Sequence, residues 1–192
     1  VMQEGQVTVD GVTTAAPRPF MVLATQNPLG LTGTYPLPEA QLDRFMLCVR
    51  MGYPNAEEEM RILDLAREEL GPEDLPAVLS AAEILEMQRL CLQVKCSGAV
   101  KQYIVRIAQA TRQDKDVSLG ASPRASQMLM RAAMAWAFLA GRDYVLPDDV
   151  QRVAVPVLAH RIRLKSDASY EQRSAQSVVE GILGSLRVPA GA

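Results

Sequence analysis

Groups that build metal centres are scarce in this sequence. Its 192 residues include one histidine and three cysteines. Cys48, Cys91 and Cys96 have no metal-ligand spacing, and His160 alone cannot complete a ligand set, so no metal centre is expected. The thiols read as buried and free in a cytoplasmic protein, and His160 as a satisfied, partly buried side chain. No apolar run approaches the roughly 18 residues that would span a membrane. A net charge of −2 leaves no global basic field to attract nucleic acid. No Gly-x-x-x-x-Gly-Lys-Ser/Thr loop occurs to cradle phosphates. No strand ends in Asp-Glu to hold Mg²⁺; Asp148-Asp149 looks similar, but Pro147 marks a helix start there. Aromatics make up only 5%. The opening Val1-Met2-Gln3-Glu4 is neither a signal peptide nor a natural start, which suggests a truncated chain.

What is present is an ordinary globular composition, 48% apolar and 22% charged, rich in Ala, Leu and Met. Residues 6–9 and 12–14 alternate around Asp10-Gly11, which predicts a hairpin with a type I′ turn. Phe20 to Thr25 is a continuous apolar run, expected to be a strand buried on both faces. A short helical segment over 39–44 and a second strand over 45–49 follow. After Tyr53-Pro54 the period becomes helical. Asn55 with Glu58, and Ser80 with Glu83, open helices as capping boxes. Gly71-Pro72 closes the first; Ile84, Met87, Cys91 and Val94 share a face of the second. Val100, Ile104, Ile107 and Thr111 form a helical stripe. Ser122-Pro123 begins a long helix with Met128, Leu129, Ala132, Trp136 and Leu139 inward, ended by Gly141. Pro147 begins another, and the last covers about 172–185.

Three polar positions stand out. Asn27 follows a strand expected to end in Thr-Gln-Asn, where open α/β sheets place ligands; equally, Asn-Pro can be a turn that bonds its own backbone. Arg44 suits a group reaching a neighbour's phosphate, or an ordinary pair with Asp43 or Glu39. Arg124, second in its helix, opposes the helix dipole, and would strengthen an anion site at that N-terminus.

Taken together these positions sit in longer strings. Val22-Leu23-Ala24-Thr25-Gln26-Asn27-Pro28 and the run from Gly33 to Phe45, GTYPLPEAQLDRF, resemble the signature of MoxR-type AAA+ ATPases. Gly120-Ala121-Ser122-Pro123-Arg124-Ala125 resembles the family's sensor 2 segment, and 144–150 with Ala159-His160-Arg161 its lid. Leu29-Gly30-Leu31-Thr32 departs from the acidic and Gln residues usual there.

The resemblance implies a mainly α chain: residues 1–52 as the end of the α/β core (hairpin plus strands), 53–188 as an all-helical lid bundle, and 189–192 as a tail. It implies Asn27 as sensor 1 placing the attacking water and Arg44 as an arginine finger on the next subunit's ATP. Arg124 becomes sensor 2, and the hairpin a pre-sensor-1 element facing a central pore. ATP and Mg²⁺ belong to the full-length protein, whose P-loop and Asp-Glu strand are expected upstream of Val1. The fragment alone is then inactive. Implied partners are neighbouring subunits of a homo-oligomeric, hexameric ring and a von Willebrand factor A-domain protein or client. The implied role is chaperone-like remodelling or maturation of client complexes. Two other readings stay open: a magnesium-chelatase-like subunit, and a helical interaction module that never meets nucleotide.

Overall fold

The computed structural model describes residues 5–26, 37–68, 71, 74–166 and 173–189. The expected hairpin is present. Strands β1 (Gln6–Val9) and β2 (Val12–Ala15) pair antiparallel, with Val9 opposite Val12. Asp10 and Gly11 both take positive φ, 49° and 80°, as a two-residue I′ turn requires. Every residue of both strands is exposed.

Neither of the two expected core strands forms. Residues 20–26 have no strand pairing, and Leu23 is 82% exposed where burial on both faces was anticipated. A strand persists only as a ladder that satisfies its N–H and C=O groups, and among the described residues no strand pairs with this segment. Within residues 45–49 no strand forms either, and the Cys48 amide donates instead to the Pro156 carbonyl at 2.9 Å. Cys48 is therefore exposed, contrary to the expectation of three buried thiols. Cys91 and Cys96 are half-buried, and burial pushes both thiols up.

The helices follow their caps. Helix α1 (Glu39–Leu42) is one turn. Helix α2 (Ala56–Glu68) opens with a reciprocal box: Glu58 N–H donates to Asn55 Oδ1 at 3.0 Å and Asn55 N–H to Glu58 Oε2 at 2.9 Å. Helix α3 (Ala81–Cys91) opens the same way at Ser80 and Glu83. Then come α4 (Gly98–Gln113), α5 (Pro123–Leu139), α6 (Pro147–Leu158), a 3₁₀ turn (Ala159–Arg161) and α7 (Ala175–Ser185). The helical region is not purely helical as expected. Strands β3 (Val117–Leu119) and β4 (Arg163–Leu164) form a small antiparallel pair, too short to leave a period-2 pattern in the sequence.

The core lies between α4, α5, α6 and α7. Val100, Tyr103, Ile107, Leu129, Val150, Val157 and Val179 are fully buried, each contributing about 1.5–3 kcal/mol through burial. Helix α5 turns a row of small residues inward, Ala125, Ala132, Ala133 and Ala137 around Leu129. That register leaves Leu139 71% exposed and Trp136 39% exposed, where both were expected inward. The Trp136 ring lies instead under the Arg152 guanidinium, 4.9 Å from its centroid, a cation–π contact.

Candidate functional site

The start of α5 is held rigidly against the end of α4. Thr111 is buried; its Oγ1 donates to the Ala108 carbonyl at 2.7 Å and accepts the Ala121 amide at 2.9 Å. Arg112 Nε donates to the Ala121 carbonyl at 2.7 Å. Gly120 passes so close that a Cβ there would lie 2.7 Å from Arg112 Cα. Ser122 Oγ then accepts the Ala125 amide at 3.2 Å, satisfying one of the free helix-end donors, with Pro123 at the first helical position. Arg124 follows, half-buried.

The segment after α1 docks on this helix start. Ser122 Oγ donates between both oxygens of Asp43, at 3.1 and 3.2 Å. Arg124 Nη1 lies 3.4 Å from Asp43 Oδ2, and Arg161 Nη1 3.6 Å from Oδ1. Arg161, its side chain 1% exposed, also donates through Nη2 to the Phe45 carbonyl. Burial weakens its hold on its proton, and the Asp43 carboxylate opposes that. The cluster therefore brings together 43, 45, 122, 124 and 161, from three separate stretches of chain.

Arg44 stands between the two clamped residues and points elsewhere. Its side chain is exposed and, among the described residues, makes no hydrogen bond or ion pair. The ordinary partners open to it from sequence are taken: Asp43 by the cluster, and Glu39 by Arg163 at 2.7 Å. Asn27 lies outside the described residues, as does Gly33–Pro36 of the signature string.

His160 is half-buried beneath the same segment. Its Nε2 accepts from Arg161 Nε at 3.2 Å and lies 3.2 Å from the Phe45 carbonyl. Only a neutral ring can accept there, and the Phe45 carbonyl is then served by Arg161. His160 Nδ1 is buried with no hydrogen bond of good geometry. Burial, chiefly, holds its pKa below the ordinary 6.5, with the Phe45 carbonyl opposing and the Arg161 charge reinforcing the shift. Asp43 is the other charged group acting on it, and it opposes the shift. A histidine whose folded pKa is lowered contributes stability that is intact above the unfolded pKa. That stability is lost as pH falls below it, because the unfolded chain takes up the proton first. Thermal unfolding is accordingly expected to fall more steeply between about pH 7.5 and 5.5 in the native chain than in His160→Gln. Equal slopes would show that His160 is not kept neutral.

The described residues contain no group of three or more His, Cys, Asp or Glu able to hold a metal ion. An anion, in contrast, is suited: a carboxylate already sits on two guanidiniums and a capping hydroxyl at a helix N-terminus. An open groove lined by Glu39, Ser118, Arg163 and Lys165 adjoins α1 but includes none of 43, 44 or 124. Its openness gives it nothing with which to enclose a ligand, and the buried, charged cluster is the stronger candidate. Sequence reasoning missed Asp43, Ser122 and Arg161 as a unit; the available signal was that each lies in one of the family-like strings.

Two family profiles match the chain. That of the ATPase family associated with various cellular activities (AAA) covers residues 1–47, and that of the AAA lid domain covers 109–182. The uncharacterized protein YeaC of Bacillus subtilis (strain 168) is 47% identical over 98% of this chain and 59% of its own. Chaperone MoxR1 of Mycobacterium tuberculosis is 39% identical over 98% of this chain and 52% of its own. Protein MoxR of Paracoccus denitrificans is 30% identical over 89% and 56%. A crystal structure of a candidate ATPase from Cytophaga hutchinsonii superposes with a TM-score of 0.89 at 36% identity, over 98% of this chain and 60% of that one. The chain thus spans only about half to three fifths of the length of these relatives.

Proposed function

The chain belongs to the MoxR-type AAA+ ATPases, and we propose that it is the part of such an ATPase that reads bound ATP and acts on a neighbour's. The observation that carries this is the pairing at the α5 start. Arg124 is braced there on an anion, while Arg44, one residue from that anion, faces outward without a partner among the described residues. Arg124 is sensor 2 in this reading, exchanging contact with Asp43 for contact with a phosphate oxygen. Arg44 is the arginine finger, a permanently charged fork offered to the next subunit of a ring, read as a hexamer. Asn27 keeps its reading as sensor 1, and the exposed hairpin its reading as a pore-facing element. Residues 1–52 would be the core portion and 53–188 the lid. ATP, with Mg²⁺ supplied by groups outside the described residues, is the ligand of the whole protein. Its hydrolysis would drive chaperone-like maturation of a client complex in the cytoplasm, with a von Willebrand factor A-domain protein as candidate partner. No helix among the described residues is long and apolar enough to cross a membrane. Residues 1–192 alone, lacking a phosphate loop, should not turn over ATP.

The test is Arg124→Ala in the full-length protein. Loss of a charge-assisted hydrogen bond worth roughly 1.5–3 kcal/mol should weaken ATP binding about tenfold to a hundredfold in an equilibrium titration. Unchanged ATP affinity in a folded variant would remove Arg124 from the nucleotide site.

A further inference from the structure

Arg161 is an expensive residue to bury. A guanidinium with its side chain 1% exposed is tolerated only where nearby partners offset the loss of water around its charge. Each of its nitrogens is directed at one short stretch or its support. Nη2 donates to the Phe45 carbonyl and Nε to the neutral His160 at 3.2 Å, while Nη1 makes no hydrogen bond and is held by the charge of Asp43, 3.6 Å from Oδ1. The side chain therefore grips the residue before Arg44 and the residue after it, and leaves Arg44 itself exposed between them. It does so from the turn that ends α6, a helix whose side packs on α5, which carries Arg124.

We propose that Arg161, with Asp43 as its ion-pair partner, is a positioning residue that ties Arg44 to the lid and so transmits the lid's nucleotide-dependent position to the neighbouring subunit's site. This rests on the reading of Arg44 as a finger acting in trans. Asp43 is shared between Arg161 and Arg124. When a phosphate draws Arg124, Asp43 remains on Arg161 and Ser122, and the finger segment moves with the lid. Lysine at 161 could not reproduce this, since a point charge can meet Asp43 or the Phe45 carbonyl but lacks the fork that meets both.

The experiment compares Asp43→Asn, Arg161→Lys, Arg44→Ala and the Asp43→Asn/Arg44→Ala double variant in full-length protein, with steady-state ATPase kinetics and thermal unfolding for each. Misplacing a catalytic group without removing it is expected to lower kcat about tenfold or more, with KM for ATP within about twofold. The double variant should be no slower than Arg44→Ala, because both changes remove one function. Asp43→Asn decides the matter if Arg161→Lys does not fold: its side chain is only partly buried and the carboxamide keeps the Ser122 hydrogen bond. A wild-type kcat in Asp43→Asn, a raised KM with kcat unchanged, or losses that multiply in the double variant would each overturn the coupling. If Arg44→Ala is impaired and Asp43→Asn is not, only the coupling fails. If Arg44→Ala itself hydrolyses ATP at the wild-type rate, the finger reading fails and the coupling with it.

Discussion

Arg44→Ala in the full-length protein is expected to slow ATP hydrolysis by about a thousandfold, the lower end of what an arginine finger supplies. The physical basis is charge: a phosphoryl group in transfer spreads negative charge over its oxygens, and a guanidinium placed against it needs no proton movement to neutralise part of it. The loss should appear without a stability change, since an exposed side chain with no partner among the described residues supports little of the fold. Because the residue acts on a neighbour, wild-type specific activity should rise with protein concentration as subunits assemble. Subunits bearing Arg44→Ala should regain turnover when mixed with subunits that bind no nucleotide but keep Arg44. Arg44→Lys should restore little, because a single ammonium does not reproduce the planar fork. A folded Arg44→Ala protein as active as the wild type, or one that mixing never rescues, would remove this residue from the reaction.

Gly120→Ala should be the most damaging single-methyl change in the lid. The added carbon would meet Arg112 Cα, Cγ and N at 2.7–2.8 Å. Two of those are backbone atoms of α4, which cannot swing aside as a side-chain tip does. Overpacking of this kind costs about 1–3 kcal/mol, and each kcal/mol lowers Tm by roughly 2–4 °C in a domain of this size. The clash would also push the α5 start away from α4, straining the Thr111 and Arg112 bonds to Ala121 and displacing Ser122 and Arg124. Weaker ATP binding should therefore accompany the lower Tm. Gly181→Ala is the control: it sits exposed inside α7 with nothing within 4 Å of its would-be Cβ. There alanine should be neutral or stabilising by up to about 1 kcal/mol, from helix propensity. Equal Tm values for Gly120→Ala and the native chain would mean that the two helices are not in close contact at that point.

Local chemistry was legible wherever a few neighbouring residues decide the outcome. The Asp10-Gly11 turn, the Asn55 and Ser80 capping boxes, and the Ser122-Pro123 helix start all formed as their side chains dictate. Features that depend on a distant partner were not. The apolar run at 20–25 has strand composition, yet without a paired strand among the described residues it forms no regular structure and is largely exposed. Trp136 has the bulk of a core residue, but α5 turns alanines inward and leaves the indole under Arg152. Cys48 would be buried in a strand and is exposed in its absence.

By itself the sequence determined the family strings and with them the identity of Arg44 and Arg124 as candidates, because short ordered motifs survive without coordinates. It also determined the lid helices, whose caps and apolar spacing are local. Only the tertiary structure decided that Asp43, Ser122, Arg124 and Arg161 meet, since contacts across 79 and 81 positions of chain leave no periodic trace. It also decided which arginine of the region is outward: burying Arg161 against Phe45 and drawing Asp43 onto the lid leaves Arg44 as the exposed one.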